Sequence, residues 1–109
     1  MQVFEHVYPN VVILELTDRL TVETESDLKD AVRRQIDAGR RHLVLDLAMV
    51  PYVDSCGLGT MVQAYVSAHR KGGSVKLMNV HQRVRQLLTV TRLLTVFELY
   101  HTEAKAVGA

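Results

Sequence analysis

The chain has 109 residues, 48% of them apolar and 23% charged, and a net charge of +1. That length is one domain, 1–109, able to bury roughly 65% of its unfolded surface and to hold a core without staples; the composition excludes a disordered tail or a fibrous repeat, and the balanced charge gives no footprint for a nucleic-acid binder. One cysteine, Cys56, excludes an intrachain disulfide and a cysteine-cluster metal site.

The chain reads as strands alternating with helical patterns, which predicts an α/β domain. Gln2 to Val7 alternates weakly and ends at Tyr8-Pro9-Asn10, a turn signal. Val11 to Leu16 is a β-branched apolar run short enough for a buried strand, and the two segments suit a hairpin around Pro9-Asn10. Leu28, Ala31, Val32 and Ile36 then recur at helical spacing, and Gly39 stands where that helix would stop. Thr21 or Thr24 suits its start, and Thr24 with Asp27 resembles a capping pair.

His42 to Leu47 is nearly continuous in apolar character, as a strand covered on both faces is. Gly57 to Arg70 is helical, with Leu58, Met61, Val62, Tyr65 and Val66 on one stripe, and Gly72-Gly73 ends it. Val75 and Leu77 mark a half-buried strand. Asn79 and Gln82 suit a cap pair ahead of a helix carrying Val84, Leu87 and Leu88. Val96 to Leu99 is a short strand, and His101 to Val107 a closing helix. The expected architecture is a mixed, mostly parallel sheet of four or five strands with helices largely on one side. No apolar run approaches the ~18–20 residues of a membrane helix, and MQVFEHVYPN lacks the basic start and apolar stretch of a signal peptide. A reducing, cytoplasmic setting without membrane insertion follows as an expectation.

The informative stretch is Leu45 to Gly59, LDLAMVPYVDSCGLG. A strand leads through Val53-Asp54-Ser55 into a helix, with Ser55 and Cys56 at the helix start. Backbone N–H groups are unpaired there, so an anion or phosphate is favoured. Gly57 and Gly59 lack side chains, so another surface could approach closely. Ser55 is thus a candidate phosphorylation site, although a serine there often serves only as a cap. Cys56 at a helix start has the setting of a nucleophile, but no histidine is near it in sequence; a small, partly buried residue is the plainer reading. Glycine does not stand two positions before Ser55, so the segment is not a nucleophile elbow. His6, His42, His69, His81 and His101 show no metal-ligand spacing, and no cofactor motif is present. Met49, Met61 and Met78 read as core filler. Arg33, Arg34, Arg40, Arg41, Arg70 and Lys71 read as a solvated basic set.

Asp54-Ser55-Cys56-Gly57-Leu58-Gly59 resembles the D-S-S-G-L-G motif of the anti-sigma factor antagonists, the bacterial branch of the STAS domain family. Leu14-Glu15-Leu16-Thr17 resembles that family's early strand, His42 to Leu47 the strand before the motif, Gly72-Gly73 the glycines ahead of the fourth strand, and Val84-Arg85-Gln86-Leu87-Leu88 the third helix; the likeness spans residues 3 to 107. The chain departs from the pattern at Cys56, which replaces a second serine, at Asp18 and Thr21, which replace glycine and aspartate, and at Arg92, which replaces a glycine past the third helix. The resemblance implies a non-enzymatic switch without a cofactor or metal. Ser55 would be phosphorylated by an anti-sigma factor serine kinase of histidine-kinase-like ATPase fold and dephosphorylated by a metal-dependent serine phosphatase. The unphosphorylated form would hold the kinase and release a sigma factor, with Asp54, Cys56, Gly57, Leu58, Gly59 and Thr21 meeting the partner. Other roles open to such a chain are a STAS subunit of a bacterial lipid transporter, a stressosome-type scaffold, and a small hydrolase using Ser55 or Cys56.

Overall fold

A computed structural model describes residues 1–93 and 96–100. Strands β1 (Val3–Val7) and β2 (Val12–Leu16) are followed by helix α1 (Glu25–Asp37), β3 (His42–Asp46), α2 (Ser55–Arg70), β4 (Ser74–Met78), α3 (Gln82–Val90) and β5 (Glu98–Tyr100). The five strands form one sheet in the order of the chain. β1 and β2 are antiparallel, joined through the Pro9-Asn10 turn, and every later neighbour is parallel.

Strand order that never reverses fixes the helices. Each parallel step is a right-handed crossover taken in the same direction, so each helix lands on the same face. The core accordingly draws on one face of the sheet and on all three helices. Val12, Leu14 and Leu16 of β2, Leu43 and Leu45 of β3, and Val75 and Leu77 of β4 meet Leu28, Ala31 and Val32 of α1, Met61, Ala64 and Ala68 of α2, and Val84 and Leu88 of α3. The alternate residues Ile13, Val44 and Met78 form a smaller buried cluster on the other face, with Tyr8 and Val11 against it. This explains why β3 reads as continuously apolar.

Several expectations shift in detail. The buried stripe of α2 is Gly57, Thr60, Met61, Ala64 and Ala68, while Leu58, Val62 and Tyr65 are only partly buried and Val66 is exposed. Small residues let α1 pack close to α2, and the bulky residues expected in the stripe flank that contact. In α1 the fourth buried position is Gln35, not Ile36; its side-chain oxygen accepts a hydrogen bond from Arg40 Nη1 at 3.0 Å, which makes a buried amide tolerable. Met61 and Met78 are core residues, but Met49 lies 59% exposed in the loop after β3.

The helix starts also differ from expectation. Thr24 stands at the start of α1, yet its side chain does not cap the helix. It donates instead to the Arg19 carbonyl at 2.6 Å and accepts from the Thr21 N–H at 3.0 Å. Asn79 is no cap for α3: it adopts φ 58°, and the residue flanking the helix is His81. Arg92 adopts φ 62° just past α3, the left-handed ending that a glycine would take more cheaply. The final strand begins at Glu98, later than the expected Val96. The expected helix at His101 to Val107 lies outside the described residues.

Candidate functional site

The site forms where two loops at the carboxyl ends of β2 and β3 close on each other. Leu20 N–H donates to the Tyr52 carbonyl at 3.0 Å, and Asp54 N–H donates to the Leu20 carbonyl at 3.1 Å. Leu20 and Val53 thereby form a parallel bridge outside the main sheet, and both side chains are buried with Val50. The β3 loop is fixed from its other end as well. Asp46 Oδ1 accepts from Ala48 N–H at 3.0 Å and from Asn79 Nδ2 at 3.1 Å. The left-handed backbone of Asn79 turns the chain after β4 so that this contact is made.

Asp54 is the hinge of the arrangement. It caps α2: Oδ1 accepts from Gly57 N–H at 2.8 Å. Its other oxygen, Oδ2, accepts from Val22 N–H at 3.0 Å in the β2 loop. These backbone donors, that of Gly57 foremost, hold the carboxyl below the ordinary aspartate value against the opposing effect of burial. A second tie lies one turn along, where the buried Thr60 hydroxyl donates to Glu25 at the start of α1. That hydrogen bond is the main reason the Glu25 carboxyl also lies low, with Lys29 assisting and the charge of Asp54 opposing.

Each expected site residue now has a place. Ser55 is the first residue of α2 and is exposed; because Asp54 is the cap, the Ser55 hydroxyl is not needed for that purpose. Cys56 is exposed as well, contrary to the partly buried position expected of it, because Gly57 and not Cys56 turns toward the loop. Gly57 itself is buried. A Cβ there would lie 2.3 Å from the Leu20 carbonyl oxygen, so the close approach that glycine permits is made by the chain's own loop and not by another surface. Gly59 has nothing within 4 Å of its Cβ position and faces outward. Leu58 is half-buried against the core. Thr21 lies beside this cluster, where its carbonyl accepts from Thr24 and Glu25 N–H at 3.0 and 2.8 Å and shapes the entry into α1.

The surface around Ser55 is apolar and open. Tyr52 is 42% exposed and Val90 81%. A groove of ≈ 380 Å³ runs between the start of α2 and α3, with Tyr52, Ser55, Arg83, Leu87 and Val90 in its walls. The roles of Val22, Thr60 and Arg83 have no local sequence signal; they arise from loops and helices brought together by the topology. Among the described residues no group of three metal-ligating side chains occurs. The described histidines are occupied singly, as His6 with Glu15 at 2.9 Å and His81 with the Ala48 carbonyl at 2.6 Å. No helix among the described residues is long and apolar enough to cross a membrane.

The pattern of the STAS domain family matches residues 5–106. The chain belongs to the STAS domain family. Its relatives include the anti-sigma F factor antagonist of Paenibacillus polymyxa, 33% identical over 93 residues that cover 81% of this chain and 80% of that protein. The crystal structure of the Thermotoga maritima protein tm1081 superposes with a TM-score of 0.91 at 26% identity, over 97% of this chain and 92% of that one. SpoIIAA of Bacillus in its phosphorylated form shares the fold, with a TM-score of 0.78 at 16% identity over 98% and 97% of the two chains. In this STAS domain the D-S-C-G-L-G segment sits at the start of the second helix.

Two contrasts test the geometry. Asp54→Ala removes an acceptor for two backbone donors and should lower the melting temperature, whereas Ser55→Ala should change stability by no more than about 0.5 kcal/mol, as an exposed substitution without a capping role does. Equal losses in thermal melts would mean that Ser55 shares the cap. Gly57→Ala forces the Leu20 loop off α2 and should cost about 1–3 kcal/mol in urea denaturation, while Gly59→Ala, in an open helical position, should gain about 0.5–1 kcal/mol.

Proposed function

We propose that this STAS domain is an anti-sigma factor antagonist controlled by phosphorylation of Ser55. One observation carries the reading: Ser55 is exposed on the first turn of α2 while the adjacent Asp54 supplies the cap. The hydroxyl is thus available for modification at a place where a helix N-terminus tolerates negative charge. The named relative from Paenibacillus polymyxa supports the same reading.

In this account an anti-sigma factor with serine kinase activity and a histidine-kinase-like ATPase fold is the partner. The Ser55 oxygen attacks the γ-phosphorus of ATP, the bond to ADP breaks, and the hydroxyl proton leaves to a base on the kinase. A metal-dependent phosphatase returns the serine. The unmodified domain holds the kinase and so frees a sigma factor; the domain acts by binding and not by turnover. Asp54 and Gly57 serve the partner indirectly, by holding the loop and helix in register. Cys56, Gly59, the exposed part of Leu58 and the Thr21 loop offer the contacting surface.

Phosphorylation adds about −1.5 to −2 charges near neutral pH. Beside Asp54 that charge makes the contact face acidic, and a partner covering it would have to desolvate the dianion. The complex is broken while the fold persists. Ser55→Ala is expected to bind the kinase-type partner as tightly as the unmodified protein. Ser55→Asp should keep the fold yet bind about tenfold or more weakly, equivalent to ~1.4 kcal/mol. Calorimetry with the purified partner measures both, and equal affinity for Ser55→Ala, Ser55→Asp and the phosphorylated protein would overturn the reading.

A further inference from the structure

The groove between α2 and α3 holds one cation. Of the residues in its walls only Arg83 is basic, and it shares with Ser55 a lining that is otherwise mostly apolar, Tyr52, Val53, Val84, Leu87 and Val90 among them. Arg83 is exposed and takes part in none of the ion pairs among the described residues. The one carboxylate in the groove wall, Asp54, is committed to the Gly57 and Val22 amides. Arg83 also lies in the first turn of α3, where no acidic side chain stands and the flanking His81 side chain makes no capping hydrogen bond. The groove therefore carries a serine hydroxyl and a positive charge without an ion-pair partner in the same lining.

Resting on the reading that Ser55 is phosphorylated, we propose that Arg83 receives the phosphate, so that the modified side chain and the guanidinium close over the groove between α2 and α3. A guanidinium offers paired N–H donors that match a phosphate oxygen pair, a fit that an ammonium lacks. The contact gives the phosphorylated state a positive feature of its own. It covers Leu87 and Val90 with a charged, hydrated bridge, and removes from a partner both the apolar groove and the arginine that would attract the partner's own carboxylates. Phosphorylation then changes the shape of the surface as well as its charge. Tyr52 and Asp54 are the other titratable groups in the groove wall, and both remain in place in every variant below.

The test uses the full chain with phosphoserine genetically encoded at position 55, followed by 31P NMR across a pH titration at low salt. The α2 amides and Asp54 act on the phosphate in all variants, so the comparison is between arginine substitutions. Arg83→Gln should raise the second pKa of the phosphoserine, corresponding to about two- to fivefold tighter proton binding, the range of an exposed charge pair. Arg83→Lys should restore part of the shift. Arg85→Gln on the same helix and Arg19→Gln in the β2 loop should leave the titration unchanged. An unchanged titration in Arg83→Gln, or an equal change in Arg19→Gln or Arg85→Gln, overturns the assignment. Circular dichroism melts confirm that each variant is folded. The titration needs no partner, so it stands or falls separately from the binding comparison that tests the function.

Discussion

One carboxylate holds the candidate site together. Asp54 accepts from the third residue of α2 with one oxygen and from the β2 loop with the other. Without it the start of α2 would lose its side-chain cap and the Leu20–Val53 bridge would lose its neighbour. The bridge, the buried Leu20 and the close approach of Gly57 all depend on these two segments staying in register. Because the aspartate performs this task, the residue after it is released from structural duty. A modifiable hydroxyl at a helix start is stable only when something else caps the helix, and this chain places the two jobs on adjacent residues.

The fold places that pair where it can be reached. A sheet whose order follows the chain never reverses direction, so it has no crevice of the kind that forms where strand order switches. All three helices lie on one face, and the loops that leave the carboxyl ends of β2, β3 and β4 gather at one end of the sheet. What results is a partly apolar surface in which Ser55 lines a groove beside Tyr52, Leu87 and Val90. The groove beside α3 adds an arginine to that surface. Fold alone would not carry the functional reading, since one architecture serves many roles; the exposure of Ser55 and the occupation of Asp54 do.

The sequence made the elements legible because their patterns are strong. β2 and β3 are short and apolar, α1 has a clear stripe, and Gly39 and Gly72-Gly73 end helices where they should. The Asp54-to-Gly59 segment was legible too, through its likeness to a family motif. What the sequence hid were contacts between distant segments. The buried side of α2 follows small residues, because the Leu20 loop presses on Gly57 and the close-packed core admits Thr60, Ala64 and Ala68 in place of bulkier neighbours. Thr24 looked like a cap but bonds to Arg19 and Thr21, and Asn79 looked like a cap but turns left-handed. Cys56, a small residue expected to be partly buried, is turned outward by the helix. The pairing of Glu25 with Thr60 links residues 35 apart, and no local pattern announces it.

The candidate site requires Asp54 to be ionised and bonded to both the helix and the loop. A carboxylate whose pKa is lowered by folding stabilises above its unfolded value, near 3.9, and that contribution is lost as pH falls through the lower, folded value. The direct measurement is an NMR titration in which the amide shifts of Gly57 and Val22 are followed together with the Asp54 carboxyl. Both amides should move with the aspartate, at one shared midpoint below the ordinary carboxylate value. Amides that titrate separately from Asp54, or a midpoint at or above that ordinary value, would contradict it.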